Sequence, residues 1–263
     1  MGFQNSPRRI LVEVGLVVLL IVGLGVGATW GGGALASALT PAVSTGVDQA
    51  IGSSAAKQLA LADEECTHPS ARAYVVELAR PLLEAAGELP FEFEFRVADD
   101  PSVNAFALPG GFVTVNRGLL EAAETGEEVA GVLAHEIQHA LLRHGTRRVL
   151  RQLGGRSLLW LVTGGSDVHF LAQSVGYLTE LDYDREQESE ADRAGLELLV
   201  RAGIDPTGLA SFFERLRAEG GPAPPELLST HPDPGNRAEA VSAAAHGAEV
   251  TRVLPPPSTV SCR

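Results

Sequence analysis

Lysine is nearly absent from this 263-residue chain: Lys57 is the only one, and arginine supplies every other strong positive charge. Twenty basic residues face 33 acidic ones, for a formal charge of −13. The chain therefore lacks the clustered cations that a phosphate backbone requires, which argues against nucleic acid as a partner. Cysteine is almost as scarce. Cys66 and Cys262 are the only two, far apart and without CxxC spacing, which argues against a cysteine zinc site or a dithiol redox motif. Such a pair, one near each end of the folded part, can still form one disulfide in an oxidising compartment. Internal repeats are absent, and only one hydrophobic run is long enough to cross a bilayer.

That run is Ile10–Ala28, which is apolar except for Glu13 and preceded by Arg8 and Arg9. No Lys or Arg follows until Lys57, an asymmetry that leaves the N-terminus in the cytoplasm and carries the rest across a membrane. Residues 1–30 are thus expected to be a transmembrane anchor. The alternative is a cleaved signal segment ending at the A-x-A-like site Ala34-Leu35-Ala36. Residues 31–46, rich in Gly, Ala, Ser and Thr, are expected to be a flexible linker. Residues 47–250 form the domain, and 251–263, with Pro255-Pro256-Pro257, an extended or disordered tail.

Within the domain most segments have helical periodicity, including 47–61, 69–87 with Tyr74, Leu78, Leu82 and Leu83 on its apolar side, and 183–202. Phe91, Phe93 and Phe95 alternate with charged residues, the mark of a half-buried strand. Asn104–Gly111 reads as a strand closed by a turn, and Phe112–Val115 as another. The fold class is therefore α+β, mainly α, with a small sheet, expected to be antiparallel, ahead of the segment that carries the chemistry.

That segment is Glu127–Gly145, EEVAGVLAHEIQHALLRHG. Val129, Val132, Leu133, Ile137, Ala140 and Leu141 recur at helical spacing and predict a mostly buried helix. His135 and His139 stand at i and i+4, one above the other, and can present two imidazole nitrogens to one metal ion. Glu136 follows the first histidine and is close enough to work on water at that ion. A buried helix has no other use for three such polar residues, since burying them unpaired is costly.

A catalytic zinc takes three protein ligands as a rule and keeps a position for water. The metzincin solution, a third histidine six residues after His139, is missing: Gly145 stands there. His144 is one residue off and reads as a capping or surface histidine. The other solution is a carboxylate on a later helix. In Tyr183–Arg193 (YDREQESEADR), Glu188 and Asp192 share a face, so Glu188 can bind metal while Asp192 holds a ligating histidine. Glu186 and Glu190 fall on other faces and read as solvated.

The order HEIQH, REQESEAD, Ser229-Thr230-His231-Pro232 and Arg237, with NAFALPGG ahead of it, resembles metallopeptidase family forty-eight over about residues 70–246. The resemblance implies a gluzincin fold with one Zn2+ held by His135, His139 and Glu188, Asp192 behind them, and Glu136 as catalytic carboxylate. It also implies an endopeptidase acting on membrane or misfolded proteins of the cell envelope. A single candidate span places the chain nearer the BepA- and Oma-like members than those with several membrane helices.

Peptide hydrolysis by metal-activated water, with Glu136 as general base, is the expected reaction. The substrate is expected to add as a strand along Gly111, Phe112, Val113, Thr114, Val115 and Asn116. Pro232 disfavours helix at His231, so this imidazole can approach the metal from a loop, either as an inhibitory ligand or as a donor to the oxyanion. Arg237 would add a fixed positive charge to that site. The competing reading is an envelope chaperone or binding module that keeps a metal-stabilised fold.

Overall fold

The structure, a computed structural model, describes residues 36–38, 40–62, 64–152, 183–219, 225–233, 237–257 and 261–262. The apolar run 10–28 lies outside them; among the described residues no helix is long and apolar enough to cross a membrane. Helices α1 (Thr45–Ala62) and α2 (Pro69–Ala86) precede strands β1 (Glu94–Ala98), β2 (Ala105–Leu108) and β3 (Phe112–Asn116). Helices α3 (Arg117–Ala122), α4 (Gly126–Leu141), α5 (His144–Gln152), α6 (Arg185–Arg201), α7 (Thr207–Glu219), α8 (Glu226–Thr230) and α9 (Arg237–Ala245) follow.

The sheet is mixed rather than antiparallel. Its order is β1-β3-β2, with β3 parallel to β1 and antiparallel to β2. The β2–β3 pair is a hairpin, because Gly110 and Gly111 have φ of 79° and 91° and turn the chain back at once. The connection 99–104 places β2 one position away from β1, and β3 fills the gap, running in the direction of β1. Phe95, Val97, Ala105, Ala107, Val113 and Val115 then share one core with Leu78 and Leu82 of α2 and Val129, Leu133 and Ile137 of α4. Each fully buried Leu, Ile or Phe there contributes about 1.5–3 kcal/mol.

Helix α4 runs through the middle of that core. The Thr125 hydroxyl caps it by accepting from the Glu128 N–H, and Glu127 and Glu128 in its first turn suit the positive end of the helix dipole. Neighbouring helices reach it at small residues. A Cβ on Gly131 would lie 2.8 Å from the Leu209 Cα, and one on Gly195 would lie 3.3 Å from the Ala134 carbonyl carbon. These contacts let α7 and α6 pack backbone-close on α4, which brings the carboxylates of α6 to the histidines of α4.

Helix α4 ends at Leu141, two residues before Arg143, whose φ of 58° is unusual for a non-glycine residue. Its guanidinium holds the break: Nε lies 2.7 Å from Asp48 Oδ2, and the terminal nitrogens donate to the carbonyls of Thr40 and Val43. Residues 40–46, expected as flexible linker, are thus a pinned segment containing a short 3-10 turn at Thr40–Ala42.

At the other end, residues 249–257 are extended and docked. The amides of Thr251 and Arg252 donate to the Gly203 carbonyl, that of Leu254 to Glu127, and the Tyr74 hydroxyl to the Pro255 carbonyl. Cys66 and Cys262 form a disulfide with Cα atoms 4.6 Å apart.

Candidate metal centre

His135, His139, Glu188 and His231 each offer one ligand atom, and these four atoms lie within 4.8 Å of one another. All four side chains are buried. The Nε2 atoms of His135 and His139 are 2.9 Å apart, and Glu188 Oε2 and Oε1 lie 3.4 and 3.3 Å from them. His231 arrives from the loop after α8. Its Nδ1 is 3.2 Å from His135 Nε2 and 3.1 Å from Glu188 Oε1. Nitrogen and carboxylate lone pairs that converge this closely repel one another unless a cation lies between them. The donor set therefore fits a metal ion.

The two carboxylates dominate the electrostatics of the cluster. Burial lowers the His135 pKa, but the Glu188 charge and the Asp192 contact outweigh it and push it up to about 10. Burial and the neighbouring His135 hold His139 well below its usual value. Glu188 is also opposed by burial, yet the histidines around it drive its carboxyl far below the carboxylate range. It is an anion surrounded by ligands, a suitable partner for a divalent cation.

Each ligand is held from behind. His135 Nδ1 lies 2.9 Å from Asp192 Oδ1, the expected carboxylate contact. Arg237 brings its positive charge to the carboxylates of the site. Its Nε donates to Asp192 Oδ2 at 2.7 Å, its terminal nitrogen lies 3.3 Å from Glu188 Oε2, and its guanidinium sits 4.0 Å above the Phe213 ring. Because α9 packs on α6, the charge lies against these two carboxylates.

His144 is no surface residue. It is fully buried, its Nδ1 lies 2.9 Å from His139 Nδ1, and its Nε2 lies 3.1 Å from Glu190 Oε2. Burial lowers its pKa to about 4. Glu190, read from sequence as solvated, also meets Arg147 at 2.9 Å. Tyr183 was missed altogether. Its ring stacks on His139 with centroids 3.9 Å apart, and its hydroxyl donates to the Ala107 carbonyl at 3.4 Å.

Glu136 is fully buried beside this cluster. Burial raises its carboxyl pKa, against the pull of His231 and His135, and the Ala107 amide faces it. His231 Nε2 lies 3.4 Å from Glu136 Oε1.

The expected substrate strand must be moved. Strand β3 (with Gly111 just before it) is the middle of the sheet, and both of its sides are already paired. The edge beside Glu136 belongs to β2. The Asn116 amide donates to the Asn104 carbonyl, so the ladder parity turns the backbone groups of Ala105 and Ala107 away from β3.

The sequence profile of Peptidase family M48 matches residues 69–245. The chain belongs to that family. It is similar to the beta-barrel assembly-enhancing protease of Escherichia coli (strain K12), with 29% identity over 74% of this chain and 43% of that protein. It is also similar to the mitochondrial metalloendopeptidase OMA1 of Bos taurus, with 32% identity over 68% of this chain and 37% of the relative. For the mitochondrial metalloendopeptidase OMA1 of Schizosaccharomyces pombe the figures are 33%, 65% and 51%. The chain thus spans about half or less of the length of these relatives. All residues of the metal centre lie inside the matched region.

Proposed function

We propose that the protein is a zinc-dependent endopeptidase with its domain on the extracytoplasmic side of a cell envelope. One observation carries the reading: a buried His135–His139–Glu188 set converges beside a carboxylate, Glu136, that is not part of it. A site that only stores metal or braces a fold does not need the fourth group. Membership of a peptidase family and similarity to two named proteases support it. The disulfide supports an oxidising compartment, and the run Ile10–Ala28 supports delivery there as an anchor or signal segment.

A zinc ion held by His135, His139 and Glu188 supplies Lewis acidity for water activation at neutral pH. Glu136 accepts the proton of the attacking water as the new C–O bond forms, then passes it to the nitrogen as the C–N bond breaks. Its raised pKa suits both halves of that transfer. An extended segment of a membrane or misfolded protein adds to the outer edge of β2, where Ala105 and Ala107 offer backbone groups. The Ala107 carbonyl is held here by the Tyr183 hydroxyl, so substrate pairing displaces that contact. His231 gives the centre a fourth protein donor, which makes this the closed arrangement of the enzyme.

The test is cleavage of casein by the purified full chain. Metal-dependent cleavage that stops with a chelator, returns with Zn2+ and is absent in Glu136→Gln supports the assignment. A wild-type protein that binds zinc and suppresses aggregation of unfolded clients, with no cleavage even in His231→Ala, would favour the chaperone reading.

A further inference from the structure

The two ligating histidines are backed in different ways, and the second way has no explanation yet. His135 leans on a carboxylate, as histidine ligands commonly do. His139 leans on another imidazole. From geometry alone the protons of this chain can be ordered. His139 Nε2 faces Glu188 Oε1 and His135 Nε2, so it is the atom directed at the metal, and Nδ1 carries the ring proton. That proton points at His144 Nδ1, 2.9 Å away, which must accept it. The proton of His144 therefore sits on Nε2 and points at Glu190 Oε2, 3.1 Å away. Arg147 holds the same oxygen at 2.9 Å. The Arg143 break makes the chain possible, because it turns His144 off the line of α4 and behind His139.

We propose that His144, with Glu190 and Arg147 behind it, is a positioning residue that fixes the tautomer and ring orientation of His139 toward the metal. The proposal rests on the reading of His139 as a ligand. Asparagine and glutamine separate this role from simple packing. The Asn Oδ1 falls at the place of His Nδ1 and can still accept the His139 N–H. The Gln amide falls at the place of His Nε2; it can keep the link to Glu190 but puts no acceptor against His139.

The experiment strips the purified full chain of metal, reloads it with Co2+ and measures the dissociation constant and visible spectrum for wild type and variants. His144→Leu and His144→Gln are expected to weaken Co2+ binding about 10–100-fold with altered absorption bands. His144→Asn is expected to retain most of the affinity, and Glu190→Ala to lose only a few-fold. Wild-type affinity and spectrum in His144→Gln overturns the proposal, as does an equal loss in the Asn and Gln variants. If His144→Leu does not fold, the Asn–Gln pair decides. A wild-type protein that binds no metal overturns instead the reading on which the proposal rests, before any variant is compared.

Discussion

His231 stands between the metal ligands and the catalytic carboxylate: its Nδ1 is 3.1 Å from Glu188 Oε1 and its Nε2 is 3.4 Å from Glu136 Oε1. One ring thus reaches both the ligand set and the general base. On the proposed reading, a residue so placed competes with water and substrate. His231→Ala is expected to raise casein cleavage and self-cleavage. If the closed arrangement is about 90% populated, its removal raises turnover about tenfold. A fall on the order of a hundredfold with metal retained would instead assign His231 to the oxyanion.

Glu136 and Glu188 are both buried carboxylates next to histidines, yet their substitutions should part cleanly. Glu188 faces both ligating Nε2 atoms and Glu136 does not. Glu136→Gln should keep its zinc and lose turnover. Glu188→Gln should lose zinc affinity, and with it the stabilisation that a bound ligand gives the folded state. Zinc analysis and thermal unfolding with and without chelator distinguish the two. Normal zinc content in Glu188→Gln, with loss in Glu186→Gln or Glu190→Gln, would move the ligand to another face of α6.

The disulfide joins residues 196 positions apart and ties the tail to the start of α2. It closes a loop that includes the whole metal centre, so its entropic effect on the unfolded chain is large. Cys262→Ser is expected to lower stability by about 2–5 kcal/mol. Denaturant unfolding of the oxidised protein and the variant measures it. Two free thiols in protein taken from the envelope would show that the bond is not used.

The core chemistry was legible because period and function coincide in α4 and α6. Helical spacing puts His135 over His139 and Glu188 in line with Asp192, and no distant contact is needed to see it. What stayed hidden depends on chain reversals. Leu142 and Arg143, the second at positive φ, separate α4 from α5, and a reading of 127–145 as one helix sends His144 to the surface. The strand order depends on where 99–104 leads, which residue patterns do not record, so β3 was mistaken for an edge. Tyr183 meets His139 across the fold, with no local signal at all. The partners of Arg237, Asp192 and Glu188, have no local signal either, because the packing of α9 on α6 decides which way it points.

The Arg143–Asp48 pair connects the start of α1 to the break beside the metal centre. Asp48 is buried, and the pair is backed by Thr146, whose hydroxyl donates to Asp48 Oδ1. Removing Asp48 leaves a half-buried guanidinium without this counter-ion, which destabilises the fold. The Arg143 guanidinium then keeps its bonds to the carbonyls of Thr40 and Val43 but loses the carboxylate that fixes it. Asp48→Ala should therefore do two things: lower the unfolding midpoint, and weaken zinc binding because His144 loses its fixed place behind His139. Adding Arg143→Gly, which accepts that backbone conformation without strain, should restore part of the zinc affinity by removing both the stranded charge and the strain. Chelator competition on wild type, single and double variants reads this directly. Unchanged zinc affinity in a folded Asp48→Ala protein would show that the latch supports stability alone and does not reach the metal centre.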